Sequence, residues 1–384
     1  MHSIDVLVVG AGPAGLLAAS ELSQNHRVTI IDSGVIGRTQ KFWVTTERRL
    51  RKHNLTDCVI NRPARMTAGT FLGGRVSVAG DFAVVDDLKV LQILIERCRQ
   101  RNVSIIDHCA LLNLRWKKES IESTTTKEIF SSRIVLDATG GGSPIASAFR
   151  LHRIDGFYAV YGGLLHNINL HSDDIVLGHV EHLGDPCPIF EVVPTSQSSA
   201  YCVIFVFTKT LVTPNSLATA FERHCRHNPF FTLTKYTCQI AEKTGVIPIG
   251  RVRRRRLPGI VSLGEAGFIQ PPLMGTAFNE ILEYSHSICE CISKNLERDH
   301  LVCQLSSMPY PVLKRLQDSL QLAVARTMMR GNVELFDKTL RVMNGFPEEI
   351  IFKFFSNELA WRQLVWVATR LPLTLAFMRE DHYV

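Results

Sequence analysis

A glycine-rich turn close to the amino terminus narrows the choice of folds more than any other part of this sequence. Residues 8–15, VVGAGPAG, follow an apolar run typical of a strand and open a stretch with helical spacing. In such a unit the first glycine permits the tight turn, the second lets the backbone approach a pyrophosphate, and the third lets the helix pack on the strand. The pattern predicts a dinucleotide site at the amino end of the helix, formed by Gly10, Gly12, Pro13, Ala14 and Gly15.

Asp32 strengthens this prediction because it stands at the end of the next predicted strand, residues 27–32. An acid in that place, about 20 residues after the glycine turn, accepts hydrogen bonds from ribose hydroxyls. Its negative charge opposes a 2′-phosphate, so tight binding of NADP at this site is disfavoured.

The order of the remaining segments predicts an α/β protein with a Rossmann-like, doubly wound dinucleotide domain, a β-rich substrate domain and a helical carboxy-terminal region. The runs at 157–165, 174–181, 189–193 and 201–207 have strand character and suggest a sheet over a substrate cavity. The predicted units are 1–150 for the first part of the dinucleotide domain with inserted segments near 41–85, 151–245 for the β-rich region, 246–300 for the return to the dinucleotide domain, and 301–384 for the helical end.

The composition is that of a packed globular enzyme, and the cysteines and the first residues of the sequence indicate that it is intracellular. The ten cysteines include no CxxC pair, which favours reduced, buried thiols and no metal site. The first strand begins at once without a signal sequence, so we expect a cytoplasmic protein.

No run approaches the ~20 apolar residues of a membrane span. The aromatic stretch 359–378 is interrupted by Arg362, Arg370 and Pro372, which favours a helix that docks on the protein or lies at a membrane surface in peripheral contact, and not a span. We expect no nucleic-acid partner and make no prediction of the oligomeric state.

Two later motifs extend the nucleotide site by resemblance. The turn 137–140, DATG, resembles the second nucleotide contact of flavoproteins in the aromatic-hydroxylase and lycopene-cyclase superfamily, and 264–267, GEAG, resembles their late flavin motif. The resemblance implies FAD as the cofactor, with Glu265 reaching the ribityl chain and residues 271–276 near the isoalloxazine. The positions carried over are Asp137, Gly140, Gly264, Glu265, Gly267, Gly275 and Thr276.

Most of the chain resembles the lycopene cyclase family more specifically. The similar segments are 41–44 with 55–59, 158–162, 246–250 with 264–275, and the tail 346–378. The resemblance implies a lipophilic polyene substrate and a redox-neutral, acid-catalysed cyclisation in which a nicotinamide nucleotide, NAD(P)H, serves only to reduce the flavin beforehand.

One departure from this family concerns the proton donor. The family has an aromatic strand ending at a proline, followed shortly by paired acids. Here residues 190–194, FEVVP, reproduce the strand, but the following run 201–207 contains no acid. Cyclisation through a carbocation requires an acid with a raised pKa in an apolar pocket. Glu191 is the nearest substitute, and a solvent-facing carboxylate on an edge strand is the alternative interpretation.

Four aromatic residues are predicted to line the substrate cavity: Trp43, Phe190, Tyr201 and Phe205. Alternation along a strand places Tyr201, Phe205 and Phe207 on one face. Ordinary core packing explains the same residues equally well.

Three hypotheses for function follow. The first is a lycopene-cyclase-like flavoenzyme that acts without net redox change. The second is an FAD-dependent monooxygenase or dehydrogenase of an apolar intermediate, where the cofactor carries the chemistry and the missing acids matter less. The third is a noncatalytic flavin- or lipid-binding protein.

Overall fold

Two seven-stranded sheets, a three-stranded sheet and a set of carboxy-terminal helices form this protein, whose computed structural model describes residues 2–182, 187–253, 257–268, 270–297 and 311–371. The strands are β1 His2–Val9, β2 Val28–Ile31, β3 Trp43–Thr46, β4 Val59–Asn61, β5 Arg65–Thr70, β6 Arg75–Ala79, β7 Phe82–Val85, β8 Ser104–Ile106, β9 Leu111–Trp116, β10 Ile121–Thr125, β11 Ile129–Asp137, β12 His152–Leu170, β13 Ile175–Val180, β14 Ile189–Ser196, β15 Ser199–Thr208, β16 Phe231–Val252 and β17 Ile260–Ser262. The helices are α1 Pro13–Leu22, α2 Glu47–Lys52, α3 Asp87–Gln100, α4 Pro144–Ala148, α5 Ala218–Arg226, α6 Ala277–Glu297, α7 Val312–Met329, α8 Val333–Asn344, α9 Glu348–Phe355 and α10 Trp361–Ala368.

The first sheet is the predicted Rossmann-type sheet. Its parallel strands lie in the order β8-β2-β1-β11, β17 pairs with the end of β11, and β10 and β9 add an antiparallel extension. Val9 lies opposite both Ile31 and Asp137, so the carboxyl ends of β2, β1 and β11 meet at one edge. Ligands of such sheets bind outside that edge.

Helices pack on this sheet because β1 is apolar on both faces. Val6 and Val8 face a core shared with α1, α3 and α6, while Leu7 and Val9 face a second core covered by α4 and the antiparallel extension. A strand buried on both faces reads as a continuous apolar run, which is how β1 appears in the sequence.

The second sheet is the predicted β-rich region, with the strand order β16-β12-β15-β14-β13-β5-β6. One face packs against α7 to α10 and the other against α5. Two boundaries differ from the sequence prediction. Strands β5 and β6 lie in the segment near 41–85 but pair into this sheet, and β16 runs past residue 245 to Val252. The polar, exposed first half of β16 gave no alternating apolar signal, because it is an edge strand.

The helical end is confirmed over its described part. In α10 the side chains of Leu364 and Val367 are buried in the core beneath the second sheet, so this helix docks on the protein. Residues 372–378 of the aromatic stretch lie outside the described residues. Across the part of the chain that the structure describes, every helix falls short of the length and apolarity that crossing a membrane requires.

Candidate functional site

The glycine turn packs as its sequence predicts. Gly10 has a φ of +103°, and a Cβ there would lie 2.4 Å from the carbonyl oxygen of Ala138. A Cβ on Gly15 would lie 1.9 Å from the carbonyl oxygen of Gly10, so the strand and helix tolerate no side chain at either place. Gly12 differs, because no atom lies within 4 Å of a Cβ built on it. It faces open space at the start of α1, as close approach of a phosphate requires.

Asp32 joins the turn to the second strand. Its Oδ2 accepts a hydrogen bond from the backbone N–H of Ala11 at 2.7 Å, and its Oδ1 accepts one from the N–H of Gly34 at 2.8 Å. The half-buried carboxylate lines a cleft of about 250 Å³ together with Gly10, Gly12, Pro13 and Ala14. The predicted residues of the amino-terminal motif therefore come together at this cleft, apart from Gly15, which packs beneath it.

Asp137 has a different position from the one that the resemblance implied. The side chain is fully buried, and its two oxygens accept hydrogen bonds from the hydroxyls of Thr139 at 2.7 Å and Ser143 at 2.5 Å. Burial raises the pKa of this carboxyl, although the two hydroxyls act against the shift. Asp137 shapes the turn, while Thr139 and Gly140 line the cleft.

Glu265 lies where the cleft meets a second, apolar cavity. It stands in the short turn Gly264–Gly267 after β17, and its Oε2 accepts a hydrogen bond from the N–H of Gly141 at 3.2 Å. Its Oε1 forms an ion pair with the ammonium of Lys41. Gly264 has a φ of +62°, whereas Gly267 lines neither space.

The loop before α6 closes the other side of this junction. Gly275 has a φ of +63° and Thr276 follows it at the mouth of the apolar cavity. The hydroxyl of Thr276 is buried and has no hydrogen-bond partner among the described residues. A buried polar atom without a partner is costly, so this hydroxyl is suited to a ligand.

The apolar cavity lies between the second sheet and the carboxy-terminal helices and has a volume of about 230 Å³. Trp43 lines both spaces and stacks on Phe278, with ring centroids 4.9 Å apart. Phe205 and Phe207 line the cavity from β15, and α7, α8 and α9 form the opposite wall. Residues common to both spaces are Lys41, Trp43, Glu265, Ala277 and Phe278. The cleft and the cavity are therefore continuous.

Two predicted lining residues lie elsewhere. Phe190 faces the opposite side of the sheet, where its ring packs 3.6 Å from that of His224, because its neighbour Glu191 points to the cavity and adjacent residues of a strand alternate. Tyr201 shares the face of Phe205 and Phe207 as predicted, but it lies behind the cavity wall. These positions do not support a direct role for either in binding substrate.

Glu191 lines the apolar cavity from β14. The half-buried side chain makes no hydrogen bond or ion pair within the described ranges. Burial raises the pKa of this carboxyl from 4.5 to about 8. It also raises the pKa of the nearby Tyr158, with a smaller contribution from the charge of Glu191. Tyr158 donates a hydrogen bond to the carbonyl of Pro272, which places the acid beside the loop that precedes α6.

Sequence reasoning missed a buried ionic network next to the cavity. Asp87, the first residue of α3, accepts hydrogen bonds from the Tyr201 hydroxyl and from the Lys243 ammonium, both at 2.8 Å. The ammonium also donates to the carbonyl oxygen of Lys41 at 3.0 Å. Asp87 follows a capping acid and Lys243 lies in a polar strand, so neither stood out; only the fold brings three distant segments together.

Comparisons with known proteins agree with this geometry. A family model described as an NAD(P)-binding Rossmann-like domain matches residues 8–69. A geranylgeranyl bacteriochlorophyll reductase-like protein from Thermoplasma acidophilum superposes with a TM-score of 0.78 at 13% identity, over 98% of each chain. A flavoprotein/dehydrogenase from Cytophaga hutchinsonii gives 0.71 at 15% identity, again over 98% of each chain. The p-nitrophenol 4-monooxygenase of Pseudomonas putida gives 0.67 at 15% identity, over 93% of this chain and 99% of its own.

These likenesses establish the fold, which this chain shares over 93–98% of its length with these proteins. They do not extend to the lycopene cyclase family in particular. No curated protein sequence matches the chain.

Proposed function

We propose that this chain is an FAD-dependent oxidoreductase, a monooxygenase or a dehydrogenase, that acts on an apolar molecule in the cavity beneath the second sheet. The observation that carries the proposal is the continuity of the two spaces at Trp43, Glu265 and Phe278. A dinucleotide extended from the glycine turn would reach the cavity at this junction.

The residues present fit FAD. Gly12 leaves space for the pyrophosphate, and Asp32 lies at the place of a ribose ligand. Glu265 and the unpartnered hydroxyl of Thr276 stand at the junction, where they would hold the ribityl chain and the ring system. When bound, the flavin supplies hydride or oxygen chemistry. NAD(P)H would be the external reductant of a monooxygenase, whereas a dehydrogenase would need an electron acceptor for the flavin that its substrate reduces.

The protein's own contribution is to bind and orient the substrate and to exclude water. The walls of the cavity are mostly aliphatic and aromatic, so they favour a lipophilic molecule. The stacked pair of Trp43 and Phe278 borders both spaces, which restricts how a substrate can approach the cofactor.

The test is to reduce the purified yellow protein anaerobically, add a linear polyene, and then admit air. Product with the mass of one added oxygen or with two hydrogens changed, together with flavin that cycles between its oxidation states, supports an oxidoreductase. A monooxygenase consumes one NAD(P)H and one O₂ for each oxygenated product, whereas a dehydrogenase takes two electrons from the substrate, passes them through the flavin to O₂ and consumes no NAD(P)H. A colourless protein that cannot be loaded with FAD would overturn the proposal.

Redox-neutral cyclisation is the second candidate, and Glu191 is the observation that favours it. An acid whose pKa is about 8 is protonated at neutral pH and can donate its proton to an alkene in the cavity. Tyr158, Phe205 and Phe207 present aromatic rings around the cavity, and such rings stabilise a cation.

The same experiment separates the two candidates. An isomeric product formed under anaerobic conditions, with the flavin still reduced, favours cyclisation. The variant Glu191→Gln should then lose turnover by about 10²-fold or more, the usual contribution of a proton donor. Full cyclase activity in this variant would remove Glu191 from the mechanism. A protein that binds FAD and polyene but turns over no substrate would favour a noncatalytic binding role.

A further inference from the structure

The cavity has two polar features: the ionic network of Asp87, Tyr201 and Lys243, and the carboxyl of Glu191. Lys243 lies on the cavity wall, yet its side chain is only 5% exposed. Its neighbours on the wall include the exposed Gln40 and Lys41, and Lys41 also borders the cofactor cleft, so the network lies near the opening of the cavity on the side that joins this cleft. Glu191 stands on β14 instead, beside the loop before α6.

The hydrogen bonds of Lys243 are incomplete. An ammonium group has three N–H donors. Two are used, by Asp87 at 2.8 Å and by the carbonyl of Lys41 at 3.0 Å. Among the described residues no other oxygen accepts from Lys243, and its Nζ lies 5.4 Å from the centroid of the Tyr201 ring, a cation–π contact that leaves the third N–H without an oxygen acceptor. One donor of a buried, cavity-lining ammonium is therefore available to a ligand.

Asp87 stabilises the buried ammonium of Lys243. Its carboxylate neutralises the ammonium and also accepts from the Tyr201 hydroxyl, whose ring stacks on Phe42 at a centroid distance of 4.8 Å. A buried charge persists only when it is paired and hydrogen-bonded. The pair lets Lys243 remain charged and rigid, so that a ligand oxygen meets a preorganised donor.

We propose that the cavity binds an apolar molecule that ends in an oxygen acceptor, a carboxylate or a carbonyl, and that Lys243 binds this oxygen near the cavity opening. The inference rests on the proposed apolar substrate and adds its chemical class and orientation. The oxygen lies toward Lys243, and the hydrocarbon extends past Phe205 toward the helices. A site built to bind a polar group discriminates strongly against molecules that lack it.

The test compares two probes of equal chain length in the FAD-loaded protein by titration calorimetry: octanoate and octylamine. The wild type should bind octanoate at least about tenfold more tightly, which corresponds to about 1.4 kcal/mol. In Lys243→Met combined with Asp87→Asn, which removes the donor without leaving a buried carboxylate unpaired, the preference should disappear. The matched control is Lys235→Met, because Lys235 is an exposed lysine of the same strand.

General changes in the cavity alter the affinity for both probes, so the ratio of the two affinities reports the interaction with the polar end of the probe. Equal binding of both probes by the wild type would overturn the role of Lys243 whether or not the double variant folds, and so would an unchanged preference in that variant. Binding of neither probe by the wild type would instead overturn the proposed apolar substrate, and this inference with it.

Discussion

The cofactor cleft and the apolar cavity adjoin each other but are built in opposite ways. The cleft is formed at the ends of parallel strands, and the three glycines of its amino-terminal turn occupy places that the fold explains. The cavity is lined by six strands of the second sheet, by β3 and by four helices, α6 to α9, and two of its four predicted residues, Phe190 and Tyr201, lie outside it. Backbone sites are constrained by local geometry, whereas side-chain sites depend on distant segments.

The largest expected effect tests the backbone half of this comparison. Gly12→Leu should abolish FAD binding without unfolding the protein, because the new side chain enters the open space for the pyrophosphate and meets no protein atom within 4 Å of its Cβ. Flavin absorbance after loading measures the result, and circular dichroism measures the fold. Gly142→Leu is the control, since Gly142 also has open space around it. A fully loaded yellow Gly12→Leu protein would contradict the assignment of the cleft.

The second prediction tests which face of the second sheet lines the cavity. Phe190→Ala should lower the free energy of unfolding by about 3–5 kcal/mol, because this ring is fully buried. Phe205→Ala should cost less, about 1–2 kcal/mol, because its ring already borders a cavity.

Urea unfolding measures the change in unfolding free energy of each variant. The affinity for octanoate should rank the two variants in the opposite order. Phe205→Ala should weaken the binding of this probe, whereas Phe190→Ala should leave it near the wild-type value. If the order of the two stabilities is reversed, the assignment of the faces fails.

The third prediction concerns the carboxyl of Glu191 in the cavity. The carboxyl of Glu191 has a pKa of about 8 in the folded protein, raised by burial from 4.5, so the folded state holds one more proton than the unfolded state between these values. Stability due to this group is therefore present at low pH and falls as pH rises through the window, by about 1.4 kcal/mol per pH unit.

Glu191→Gln should remove this dependence. Between pH 5.5 and 7.5 the difference in unfolding free energy between wild type and variant should change by roughly 3 kcal/mol. Urea unfolding at both pH values provides the measurement, with Glu242→Gln, at an exposed acid of β16, as the control. A constant difference across the range would mean that Glu191 is ionised in the cavity.

The sequence predicted the features that depend on a few consecutive residues, but not those that depend on contacts between distant segments. The turn at Gly10 and Gly15 and the strand before it are local, since a few consecutive residues determine whether a strand, tight turn and helix can form. The order of strands and helices then predicted the Rossmann-type sheet, the second sheet and the helical end.

The tertiary structure alone decided which face of β14 meets the cavity, and so moved Phe190 into the core and left Glu191 inside. It also decided that β5 and β6 leave the first unit, and that Asp87, Tyr201 and Lys243 meet although more than a hundred residues separate Asp87 from the other two. Sequence periodicity identifies that a strand has two faces but not which face a distant helix will cover. That choice depends on long-range packing, which no local pattern records.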